Sequence, residues 1–129
     1  MQTIIDKTSL HFVYVVDEEG MSRIFADFKQ KLVLQHHATL IYFSPEDNFI
    51  FKRELEILQR RYSSQIILHQ MGEKLIDGST SIQELLEVVI NSNTKDNLIF
   101  ILSGDEELGH IASNWLWFLG IRKNQIQMY

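Results

Sequence analysis

The chain has 129 residues and no cysteine, so it is the size of one domain and has neither a disulfide framework nor a cysteine-based metal site. Its formal net charge of −5 argues against binding to nucleic acid or to an anionic membrane surface. No apolar run approaches the roughly 20 residues of a membrane-spanning helix, and the first residues lack the features of a signal peptide. We therefore expect a single cytoplasmic domain that binds neither nucleic acid nor membranes.

Apolar runs and helical periodicities alternate along the chain after a polar lead-in at residues 1–9. Continuous apolar runs predict buried strands at residues 10–16, 39–43, 65–69 and 98–102, and a last strand is expected within 121–129. Apolar residues at helical spacing predict four helices: 22–34, one ending near 62, one from 81, and one from 105 to a C-cap at Gly120. Alternation of this kind predicts a three-layer α/β/α Rossmann-like domain, with five parallel strands in the order 3-2-1-4-5.

The acidic turn after the first strand, Asp17-Glu18-Glu19, is similar to the acidic pocket of a response-regulator receiver domain. That family also needs an Asp at the end of its third strand and a Lys at the end of its last. The corresponding residues here are His69-Gln70 and Ser103-Gly104, so the receiver alternative is the weaker one.

Five segments agree in order and spacing with the motifs of another family. They are residues 17–23, residues 40–43 with 51–55, Gly78, residues 103–105 followed by a helix to 120–121, and the aromatic Tyr129. From about residue 10 to 129, the chain resembles the C-terminal pyridine-nucleotide-binding domain of ferredoxin–NADP reductase-like flavoenzymes. In that family the first segment is Gly-Gly-Thr-Gly-Ile-Thr-Pro and the fourth begins Cys-Gly-Pro, while some members end on a ring that stacks on the flavin.

The resemblance implies an NAD(P)H-binding half of a flavin-dependent oxidoreductase, which passes electrons from NAD(P)H to flavin. It implies a nucleotide-binding site at Gly20, Met21, Ser22, Ser103 and Gly104, with Tyr129 as the ring that would stack on a flavin. FAD or FMN would be supplied by another domain or chain, because residues 1–129 contain no counterpart of the family's flavin-binding barrel. That flavin-binding domain or subunit is the implied partner, and the chain alone is not expected to be an active enzyme.

The first motif departs from the family pattern in its charge. Gly20 is the one glycine left in it, Glu18 fills a matched glycine position, and Arg23 replaces the proline. Arg23 lies just inside the predicted first helix, so we do not expect it to compensate for the acids. These replacements predict weakened nucleotide binding, and they leave open a second function: a non-catalytic interaction module that kept the fold and lost the nucleotide site.

Two acidic triplets, Asp17–Glu19 and Asp105–Glu107, follow the first and fourth strands. In a 3-2-1-4-5 sheet these loops meet at the topological switch point, so the triplets should lie close together and repel a phosphate. Carboxylates at helix N-termini are commonly favourable cap charges, whereas Mg²⁺ or Ca²⁺ would also accept such oxygen ligands. The third alternative is a nucleotide site from which the acids point away.

Overall fold

The computed structural model describes residues 10–45, 49–76, 78 and 80–129, so the predicted lead-in at 1–9 lies outside the described residues. The strands are β1 His11–Val16, β2 His37–Phe43, β3 Ile66–Met71, β4 Leu98–Ser103 and β5 Ile126–Met128. The helices are α1 Glu18–Val33, α2 Lys52–Arg61, α3 Ser81–Asn91 and α4 Glu106–Phe118. In this part of the chain, no helix combines the length and the apolar character that crossing a bilayer requires.

The five strands form one parallel sheet in the order β3-β2-β1-β4-β5, which confirms the predicted fold. β1 lies between β2 and β4, with Val16 opposite Tyr42 on one side and Ser103 on the other. The chain therefore leaves β1 and β4 at adjacent points on the carboxyl edge of the sheet. This is the switch point at which open α/β sheets bind their ligands.

Helices cover both faces of the sheet, because the side chains of each strand alternate between two apolar clusters. One cluster lies beneath α1 and α2 and contains Tyr14, Val16, Met21, Ile24, Phe28, Leu32, Leu40, Tyr42 and Leu55. The other lies beneath α3 and α4 and contains Val13, Val15, Ile41, Phe43, Leu86, Phe100, Leu102, Ile111 and Leu116. Burial on both faces explains why the central strands are apolar throughout rather than alternating.

Strands β1 to β4 differ from their predicted ranges by one or two residues at an end, and two other elements differ more. α1 begins at Glu18, four residues before the predicted start, because Asp17 caps the helix with its side chain. The last strand is shorter than predicted, since a 3₁₀ turn at Lys123–Gln125 precedes β5. The predicted end of the last helix is confirmed: Gly120 follows the C-cap of α4 with a φ of 87°, a conformation that favours glycine.

A histidine pair lies at the amino edge of the sheet, away from the switch point. The rings of His11 and His37 are stacked with centroids 6.2 Å apart, and His11 Nε2 is hydrogen-bonded to Thr39 Oγ1 at 2.7 Å. Burial, and secondarily the neighbouring His37, lower the pKa of His11 to about 4. His11 is therefore neutral in the folded protein at neutral pH.

We expect His11 to make the protein less stable as the pH falls. Its pKa is lower in the folded than in the unfolded chain, so the unfolded chain takes up the proton first between pH 6.5 and about 4. Its contribution to stability is complete above that window and is lost within it. Because the ring is partly exposed, we expect the free energy of unfolding to fall by only on the order of 1 kcal/mol between about pH 7 and about pH 5. Urea unfolding of wild type and His11→Gln should show a smaller loss in the variant; equal losses would contradict this.

Candidate functional site

A single carboxylate joins the two turns at the switch point. Asp17 follows β1, and its Oδ1 accepts a hydrogen bond from the backbone N–H of Gly20 at 2.8 Å. Its Oδ2 accepts a second hydrogen bond from the backbone N–H of Asp105, which follows β4, at 2.9 Å. Asp105 in turn caps α4 by accepting from the N–H of Leu108 at 2.8 Å. Asp17 thus binds backbone donors at the N-termini of helices on opposite faces of the sheet.

The electrostatics of these helix ends explain why an acid is favourable there. A helix N-terminus has unpaired N–H groups and a partial positive charge, so it attracts a carboxylate or a phosphate. Asp17 supplies that negative charge from within the chain, and each hydrogen bond to its carboxylate is worth about 1.5–3 kcal/mol. The two acidic turns do meet, as predicted. The Asp17 carboxylate, however, accepts a hydrogen bond from the backbone of the second turn rather than repelling that turn.

The two turns are in direct contact because both contain glycine. A Cβ on Gly20 would lie 1.8 Å from the carbonyl oxygen of Ser103. A Cβ on Gly104 would lie 2.7 Å from the carboxyl carbon of Asp17. The glycines therefore let α1 pack against the turn after β4, with the partly exposed Asp17 carboxylate between them.

The other acids of the first turn have separate partners. Glu18 Oε1 accepts from the hydroxyl of Ser44, a buried residue that follows β2, at 3.0 Å. Glu19 pairs with Arg23, and both side chains are largely exposed. An exposed pair of this kind contributes only about 0–1 kcal/mol.

The second acidic triplet does not complete a cation site. Glu107 lies 3.8 Å from the ammonium group of Lys74, while Asp105 is engaged in capping α4. Within residues 10–45, 49–76, 78 and 80–129, no group of three or more His, Asp or Glu side chains is arranged to hold a metal ion.

The tyrosine beneath this edge has a structural role. Tyr42 is buried, and its hydroxyl oxygen accepts from the N–H of Ile50 at 2.9 Å. Burial is the main cause that raises the pKa of Tyr42, and the carboxylates of Glu18 and Asp17 raise it further. The hydroxyl therefore stays protonated at neutral pH.

Four of the six residues proposed from the sequence lie together. Gly20 packs against Ser103, the Ser103 hydroxyl donates to the carbonyl of Tyr129 at 3.2 Å, and Gly104 packs against Asp17. Tyr129, which follows β5, is 53% exposed, so it is accessible to another group.

The other two proposed residues point away from the crevice. Met21 is fully buried in the cluster beneath α1. Ser22 lies on the outer side of α1, where its hydroxyl donates to the carbonyl of Glu18 at 3.4 Å. Both positions follow from the early start of α1, which puts these residues inside the helix instead of at its predicted beginning.

Asp17 is the site residue whose role the sequence reasoning missed. The sequence analysis allowed it to be a helix-cap charge, a cation ligand or a charge facing a phosphate, but did not assign it a partner in the second turn. Its position as the N-cap was available from the sequence, since an Asp followed by two Glu residues is typical of a helix start. The second hydrogen bond, from Asp105, joins residues 88 positions apart and has no local signal.

No known family profile matches the sequence, and no curated protein matches it. Among solved structures, a mutant of ferredoxin–NADP⁺ reductase from Plasmodium falciparum matches with a TM-score of 0.72 and 17% identity, covering 100% of this chain and 56% of the reductase. The ferredoxin–NADP⁺ reductase from the same organism matches at a TM-score of 0.67 and 16% identity, and a second mutant in complex with 2'P-AMP at 0.63 and 17%. Each of these two comparisons covers 100% of this chain and 54% of the reductase. The chain therefore spans about half the length of these reductases and shares the fold of that half.

Replacing Gly20 by alanine tests the close contact between the two turns. The added methyl group would collide with a backbone oxygen that cannot move independently, so we expect Gly20→Ala to lower the free energy of unfolding by about 3 kcal/mol. Gly109→Ala in α4 is the matched control, because its Cβ would meet only the mobile tip of Met128. The control should change stability by no more than about 1 kcal/mol. Equal effects in urea unfolding would contradict the packing of α1 on this turn.

Proposed function

We propose that this chain is the NAD(P)H-binding half of a flavin-dependent oxidoreductase, with nucleotide binding weakened by Asp17. The observation that carries the proposal is the meeting of two helix N-termini at the switch point of a domain with the reductase fold. Such a pair of helix ends is suited to the pyrophosphate of a dinucleotide. NAD(P)H would supply the hydride and the flavin would accept it, while the protein would contribute binding and orientation.

The residues present fit a nucleotide, but they also compete with it. The N–H groups of Gly20 and Asp105 have the direction and the environment that a phosphate needs, yet both already donate to Asp17. A phosphate can use them only if the Asp17 carboxylate leaves, and it meets the repulsion of that carboxylate as it approaches. We therefore infer binding in the millimolar range, rather than the micromolar range of an unobstructed site.

The flavin would belong to another domain or chain. Tyr129 is exposed, its backbone oxygen accepts from the Ser103 hydroxyl at the same edge, and its ring is the one that would stack on the flavin. FAD or FMN is thus part of the proposal only together with a flavin-binding partner, and the chain by itself would have no reductase activity.

Replacing Asp17 by glycine tests both parts of the proposal. Glycine is better tolerated at an N-cap than other residues that lack a capping side chain. The substitution frees two backbone donors and removes a charge at the cost of both carboxylate hydrogen bonds, so circular dichroism must first show that the variant is folded. We expect NADP⁺ to bind Asp17→Gly about tenfold more tightly than wild type, as measured by calorimetry or amide chemical shifts. The shifts should centre on Gly20, Gly104 and Asp105.

Asp96→Gly is the matched control for the change in net charge. Asp96 lies in the 3₁₀ turn before β4, at the opposite end of the strands, where it pairs with Arg122. This variant should bind NADP⁺ as wild type does. If neither wild type nor Asp17→Gly binds NADP⁺ or NADPH at millimolar concentration, the proposed nucleotide function is wrong.

A non-catalytic interaction module is the second candidate, and one observation favours it. The Asp17 carboxylate already satisfies the helix ends that a ligand would otherwise neutralise, so the fold is complete without a nucleotide. This function would be supported over the first if neither wild type nor Asp17→Gly bound NADP⁺ and the intact domain captured a specific partner. Size-exclusion chromatography showing neither a partner nor self-association would count against it.

A further inference from the structure

Arg23 reaches the crevice although it lies within a helix. Because α1 begins at Glu18, Arg23 is in its second turn, and helical side chains point back toward the N-terminus. Its Nη1 donates to the carbonyl oxygen of Gly104, in the turn after β4, at 3.3 Å. Although Arg23 was expected not to compensate for the acids from its place just inside the helix, this contact brings its positive charge to the mouth of the crevice.

We propose that Arg23 is the residue that binds a phosphate group of the nucleotide in the wild-type protein, an inference that rests on the proposed function. A guanidinium group has five N–H donors in a planar arrangement that matches two phosphate oxygens. One nitrogen of Arg23 donates to Gly104 and another to Glu19. The contact to Gly104 fixes the direction of the group, and the contact to Glu19 occupies the donors that would face a phosphate.

Arg23 is easier for a phosphate to reach than the backbone donors of the crevice. The Asp17 carboxylate holds those donors with two charge-assisted hydrogen bonds, between turns that are packed together. The carboxylate that occupies Arg23 is that of Glu19, whose side chain is 60% exposed and pairs with a neighbour on the same helix. Since exposed ion pairs of this kind contribute little, a phosphate displaces Glu19 from Arg23 before it displaces Asp17 from the helix ends.

This arrangement assigns different roles to two acids of the same turn. Asp17 blocks the backbone donors and is part of the fold, whereas Glu19 only covers Arg23 and can exchange with a ligand phosphate. Removal of Glu19's charge should therefore favour binding, while removal of Arg23's charge should weaken it.

The test is a titration of the full chain with NADP⁺, in which binding is measured from the changes in amide chemical shifts. Inorganic pyrophosphate serves as a competing probe. Arg23→Gln should weaken NADP⁺ binding about tenfold, and Glu19→Gln should strengthen it a few-fold. Pyrophosphate should compete with NADP⁺ for wild type and lose that ability in Arg23→Gln. Arg122→Gln is the matched control, because Arg122 also forms an exposed pair with an acid, Asp96, but at the other end of the strands.

The outcomes separate this inference from the proposed function. If wild type binds NADP⁺ and Arg23→Gln binds equally well, or if Arg122→Gln weakens binding as much, the role of Arg23 is refuted while the nucleotide function stands. If wild type and Asp17→Gly both fail to bind, the proposed function fails, and this inference fails with it. Because Arg23 is exposed and contacts no buried group, thermal unfolding of Arg23→Gln should match that of wild type within about 0.5 kcal/mol, which excludes misfolding as the cause of a loss.

Discussion

The hydrogen bonds of the Asp17 carboxylate determine the architecture of the functional edge. A parallel α/β sheet brings the N-termini of α1 and α4 to one place, and their unpaired N–H groups require an anion or water. In this chain the anion is a side chain that leaves β1 and immediately caps α1. Its second oxygen binds the backbone after β4, so one residue links the helix layers on the two faces of the sheet. The close packing of Gly20 on Ser103 and of Gly104 on Asp17 depends on that link.

The same interaction decides how the reductase fold can be used here. Open α/β sheets can hold a phosphate where two helix ends meet, and in this chain Gly20 and Gly104 permit the close approach of the two turns. In this chain, however, those glycines accommodate a carboxylate. The site therefore keeps the shape of an anion site while its central charge is already present, and the remaining positive charge, on Arg23, lies at its exposed mouth.

The fold was predictable from the sequence because its signals are local and repeated. Four continuous apolar runs predicted buried strands, the helical stripes between them predicted crossovers, and the structure confirms both the sheet and its strand order. The site was predictable only in part. Gly20, Ser103, Gly104 and Tyr129 were placed at one edge by the topology, but the start of α1 was placed four residues too late. That error left Met21 and Ser22 at the predicted helix boundary rather than inside the helix, and it hid the reach of Arg23. The contacts of Asp17 with Asp105, and of Arg23 with Gly104, join residues more than 80 positions apart. No window of sequence contains such pairs, so they follow only from the packed structure.

The internal carboxylate also changes how this domain should respond to the concentration of small molecules in its surroundings. A domain whose helix ends are neutralised only by a bound nucleotide gains stability as that nucleotide accumulates, so its folded population depends on the metabolic state. Here the neutralising charge is a side chain of the protein, so it is present whenever the chain is folded. The helix ends are therefore neutralised without any ligand, and a ligand that binds the folded chain adds to its stability only through the further contacts that it makes.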